Sequence, residues 1–134
     1  MQQERRKTVC KGDGPEWKKR RLSASVDGRG IKVGATATPG TLVHQATPSL
    51  AANEWDEVWL YVVNSSAAAV KLTLESGGTT NPDDQIELTI PPENGLQQVM
   101  PGLILQNSRE VRAFAATANV LVLHGFVNRF EDKK

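Results

Sequence analysis

The chain has 134 residues, 16 Lys and Arg against 15 Asp and Glu, a single Cys and 39% apolar residues. That length fits one domain and leaves no room for a second independent core. No run approaches the ~18 apolar residues of a membrane span, and the first seven residues carry no apolar signal stretch, so the expectation is a soluble protein made in a cytoplasm. The lone Cys10 excludes an internal disulfide and a Cys-x-x-Cys redox or zinc pair; it reads as a free thiol.

Charge is unevenly placed. Residues 1–32 hold ten bases and four acids, an excess of six, and the remainder holds six bases and eleven acids. Residues 1–30 contain few large apolar side chains, two Gly-rich turns and no strand or helical period, which predicts an extended basic N-terminal arm. Its basic runs, Arg5-Arg6-Lys7 and Lys18-Lys19-Arg20-Arg21, are the candidate partner-binding residues, because clustered like charges seek a surface of opposite sign. Trp17, set among them, is either an anchor that docks on that partner or a ring that packs back on the chain's own body.

From Ile31 to Lys134 the sequence reads as a single all-β domain. Strands are expected near residues 31–35, 41–46, 57–63, 70–75, 85–90, 97–100, 103–105, 111–115 and 120–130. Val70, Leu72 and Leu74 alternate with polar residues, as do Ile86, Leu88 and Ile90, so these strands have one wet face. Val58 to Val63 and Val120 to Leu123 are apolar on both sides, as in central strands or strands covered by a neighbouring subunit. Asn64-Ser65-Ser66-Ala67 reads as a short hairpin, Ser76 to Asp84 as a longer polar loop, and Pro91 to Gly95, Pro101-Gly102 and Gln106 to Ser108 as strand ends. Many short strands with such punctuation indicate a β-sandwich, of jelly-roll type, or a barrel.

No catalytic constellation emerges. His44 and His124 lie eighty residues apart without a third metal ligand at recognisable spacing, and read as structural histidines. The Gly-x-Ser-x-Gly nucleophile pattern is missing. Asp83 and Asp84 lack the alternating acids of a calcium loop and read as a turn. The glycines at 28, 30 and 34 lack the spacing of a nucleotide loop. The expectation is therefore no catalytic residue, no metal and no cofactor. Trp55, Trp59 and Tyr61 fall within seven residues, and strand parity places Trp59 and Tyr61 on one face, opposite Leu60. They are candidates for an interface patch or a sugar platform, with core packing as the plainer alternative.

Glu57 to Asn64, Val70 to Thr73, Thr79 to Asp84 leading to Thr89-Ile90-Pro91, Pro101-Gly102-Leu103, Val111 to Ala115 and His124 to Arg129 together resemble small virion proteins of tailed bacteriophages. Within that group the size and strand count look like a capsid cement, or decoration, protein of the kind that a Bordetella podovirus carries. The resemblance implies a homo-oligomer, dimer or trimer, on the outer capsid lattice. It also implies the major capsid protein as partner, with no membrane and with nucleic acid as the less favoured target of the arm. The alternative is a tail, neck or fibre-associated module that binds a glycan or host-surface polymer.

Overall fold

A computed structural model describes residues 15–51 and 53–132. Within them the chain forms nine strands: β1 (Pro15–Arg21), β2 (Ile31–Lys32), β3 (Thr41–Gln45), β4 (Glu54–Asn64), β5 (Val70–Ser76), β6 (Gln85–Ile90), β7 (Gln97–Leu105), β8 (Glu110–Ala115) and β9 (Leu121–Asp132). They build two antiparallel sheets. The first runs β1-β9-β4-β7, with β2 also on β9, and the second runs β3-β8-β5-β6.

The pairing is nested. β1 and β2 lie against β9, β3 against β8, β4 against β7 and β5 against β6, so early strands meet late ones and the β5–β6 hairpin sits at the tip. Two further pairings, β4 with β9 and β5 with β8, gather these ribbons into sheets. The inner faces share one aliphatic core: Val58, Leu60 and Val62 of β4 and Leu121, Leu123 and Val127 of β9 belong to the same cluster as Leu72, Leu74, Val111 and Ala113 of the second sheet. Burying each such Leu or Val is worth about 1.5–3 kcal/mol. β4 and β9 are interior strands, which accounts for their two apolar sides.

Three details differ from the sequence reading. Residues 64–67 are no hairpin, because β4 and β5 belong to different sheets. Instead the Asn64 side chain holds a crossing between sheets, donating to the carbonyls of Ala68 and Ile90 and accepting from Ser66. Pro101-Gly102 does not end a strand; β7 continues through it with register shifts against β4, a bulge that keeps the ladder while Pro offers no donor.

The third concerns the segment read as an arm. Arg5, Arg6, Lys7 and Cys10 lie outside the described residues, but residues 15–30 are part of the folded body. β1 pairs with β9 over its whole length, and Leu22, 2% exposed, is a core residue. No period betrayed β1, since it is an edge strand with no apolar side chain in the core.

Candidate functional site

Alternation along β4 and β9 decides where the rings go. Residues 56, 58, 60, 62 and 64 of β4 are buried inward, so Trp55, Glu57, Trp59 and Tyr61 point away from the core. Opposite them stand Phe130, Asn128, Phe126 and His124. On the far side of β9, Trp17 faces Phe130 and Arg21 faces Phe126. Six of the seven aromatic residues of the chain, Trp17, Trp55, Trp59, Tyr61, Phe126 and Phe130, therefore occupy the outer face of the first sheet. None is in the core, which is aliphatic with Met100. Core packing of Trp59 and Tyr61, the plainer expectation, does not hold: both are only partly buried and lie on the opposite side of the sheet from the core.

The rings lean on one another across the strands. Trp55 and Phe130 stack with centroids 4.6 Å apart and planes at 23°, and Trp17 tilts against the other side of Phe130 at 5.0 Å. Trp59 stacks on Phe126 at 6.2 Å and 12°, while the Lys19 ammonium sits 4.5 Å over the Phe126 ring. Gly102 supplies the space beside Trp59: at its φ of +75° a side chain is strained, and a Cβ there would meet the indole at 2.8 Å. The indole N–H donates to Glu57, which also accepts from Asn128. Trp17 keeps 54% of its surface exposed, so it both packs on its own body and offers itself outward.

A second cluster lies at the mouth between the sheets. Asp56, fully buried on β4, receives Nε and Nη2 of Arg129 at 2.7 and 3.0 Å. His44, 2% exposed on β3, approaches the same carboxylate through Nε2 at 2.7 Å. The backbone N–H of Ser23 donates to His44 Nδ1, which fixes Nε2 as the protonated nitrogen that donates to Asp56. Burial works to raise the Asp56 pKa, but the hydrogen bonds from His44 and Arg129 and the charge of Arg129 outweigh it and hold the carboxyl at about 2. Its hydrogen bond to Asp56 raises Arg129 above its ordinary value.

Above this pair opens a groove of about 590 Å³, lined by Lys18, Lys19, Arg20, Arg21 and Arg129 together with Ser23, Gln45 and His44. Lys18 pairs with Glu16 and Glu131. The structure thus brings the basic run at 18–21 together with Arg129, a residue no sequence signal tied to it; only the register of β1 on β9, which sets Lys18 opposite Arg129, shows the connection.

The other chemistry-bearing residues are separated. His124 lies on the outer face opposite Tyr61, away from buried His44. Asp84 closes its own loop by accepting from the Thr80 amide, as a turn residue does. Among the described residues, no three His, Cys, Asp or Glu side chains gather to hold a metal ion. No protein-family model, curated protein or solved structure matches the chain.

Proposed function

We propose that this chain is a non-enzymatic structural protein of a tailed-phage virion, a cement or decoration protein that binds the capsid shell as a homo-oligomer and ties neighbouring capsid subunits. The observation that carries the reading is the placement of the rings. A small domain that can fill its core with aliphatic residues and sets six aromatics on one outer sheet face has a surface made for contact, since Trp, Tyr, Phe and Arg dominate the buried centres of protein interfaces. The nested strand order supports the finer reading of a jelly roll: with β1 and β2 taken as one interrupted strand, eight strands wind as four antiparallel pairs, an architecture common in viral capsid and lectin domains. That support is one of fold, and many functions share a fold.

The ring geometry favours protein over sugar as the occupant. A sugar platform needs an open ring face, whereas Phe126 is contacted by both Trp59 and Lys19, and Phe130 by both Trp55 and Trp17. Rings held against one another in this way form a continuous apolar surface, which suits close packing against another protein. Repetition of one modest contact around a symmetric shell then gives a hold much stronger than the single contact.

The test is to count and locate the chain in particles of the phage that encodes it. Copies at every lattice position are expected; a few copies at one vertex would transfer the chain to the tail or neck, and none would remove it from the virion. Replacing Trp59 by Ala should lower the number retained, and unchanged retention would exclude the aromatic face as the attachment surface.

A further inference from the structure

We infer that the basic groove beside β1 seats an extended acidic peptide segment of the partner, which adds to the free edge of β1 as a further strand. This inference rests on the reading of the chain as a protein-binding module and names the chemistry that its basic run recognises.

Four observations carry it. The groove is lined by five cations and a histidine, with no acidic side chain in its wall. Of these cations, Arg20 and Arg21 make no ion pair and no side-chain hydrogen bond among the described residues, so both guanidiniums are available to a carboxylate in the bidentate manner. Arg129 is held by Asp56 through Nε and Nη2, and among the described residues Nη1 makes no hydrogen bond. Finally, β1 is a sheet edge: its backbone pairs with β9 on one side, and no other backbone group among the described residues bonds to residues 15–21. An antiparallel strand of seven residues exposes about half of its amides and carbonyls on the free side, a template for a strand of about 20 Å.

The same charges select the guest. Lysines on an edge strand discourage pairing between copies, so a bare basic edge by itself reads as protection against aggregation. Four adjacent cations repel a second β1 while they attract an acidic strand, and the repulsion therefore also supplies specificity. Nucleic acid fits less well. Among the described residues the only ring in the groove lining is the buried His44 imidazole, bonded through both nitrogens and closed to base stacking, whereas the edge amide ladder of β1 matches a peptide backbone.

The experiment uses the full chain and a fluorescent nine-residue peptide of alternating Glu and Thr, read by anisotropy at two salt concentrations. A peptide with Gln in place of Glu and a twelve-residue oligothymidylate serve as comparisons. The Glu peptide is expected to bind, more weakly at high salt, and the Gln peptide at least about tenfold less tightly. The double variant Arg20→Gln/Arg21→Gln should weaken the Glu peptide by about tenfold or more with unchanged melting, because neither side chain has a partner among the described residues. Arg29→Gln/Lys32→Gln removes the same charge outside the groove and should change affinity less than about twofold. Amide hydrogen exchange along β1 should slow when the peptide is bound. No binding of the Glu peptide, equal binding by the Gln peptide, insensitivity to the Arg20/Arg21 change, tighter binding of the oligonucleotide, or binding without protection of β1 would each overturn the inference. Particle copy number separates this failure from that of the capsid reading: dense coverage without peptide binding removes the groove alone, and peptide binding by a chain missing from particles removes the capsid role alone.

Discussion

Asp56→Asn is the most informative single change at the mouth of the two sheets, because it keeps the shape of the side chain while it removes the charge and turns one acceptor oxygen into an amide donor. The native carboxyl is held at about 2, against an ordinary value of 3.8. A group whose folded pKa is depressed contributes stability above its unfolded pKa and loses it as pH falls towards the folded one. The shift corresponds to about 2 kcal/mol at neutral pH, of which roughly half remains at pH 3 and little at pH 2. Removing the charge also leaves the Arg129 guanidinium, only 16% exposed, without its counterion, so the total cost at pH 7 should reach about 3–5 kcal/mol. Urea unfolding followed by tryptophan fluorescence measures this for the native chain and the variant at each pH from 7 to 2. Other carboxylates titrate in both proteins and cancel in the difference. The difference should be largest at pH 5–7 and shrink by about 2 kcal/mol between pH 5 and pH 2. A difference that stays constant over that range would refute the assignment of the depressed titration to Asp56.

Leu60→Ala and Trp59→Ala probe adjacent residues on opposite faces of β4. The first opens a cavity in the core and should cost about 2–5 kcal/mol. The second removes a partly buried ring stacked on Phe126 and should cost about 1–2 kcal/mol in the isolated chain, so equal destabilisation in urea melts would contradict the placement of Trp59 outside the core. Gly125→Ala should fail to pair β9 with β4 normally, since a Cβ there meets the Trp59 carbonyl; a melting temperature equal to that of the native chain would show the approach to be looser. A chain that starts at Pro15 keeps every described strand and should unfold cooperatively, whereas one that starts at Gly28 loses β1 and Leu22 and should melt markedly lower, a contrast that differential scanning calorimetry reads directly.

Strands were legible where the alternation of apolar and polar residues was clean. β5 and β6 announce themselves by Val70, Leu72, Leu74 and by Ile86, Leu88, Ile90, and their limits differ little from those expected. β1 was illegible because an edge strand need not alternate when neither of its faces meets the core, and seven mostly exposed residues with four adjacent cations look like an unstructured arm. The crossing at Asn64 looked like a hairpin because turn residues mark a reversal of direction without saying whether the next strand stays in the same sheet.

The aromatic face shows a different kind of limit. Parity places Trp59 opposite Leu60, but it cannot say which of them is inside when both sides of the strand are apolar. The answer comes from the other strands: aliphatic residues of β5, β7, β8 and β9 already close the space between the sheets, and the rings are left to the side where β9 brings Phe126 and Phe130 beside them. Once the rings are outside, they lean on one another across the strands, Trp55 on Phe130 and Trp59 on Phe126, and form one apolar surface instead of separate side chains. Along β1 the Lys19 ammonium turns over the Phe126 ring on the aromatic side, while Lys18, Arg20 and Arg21 border the groove with Arg129. The basic run therefore joins the two surfaces, and a partner that covered the aromatic face and also laid an acidic strand along β1 would engage more of it than either contact alone.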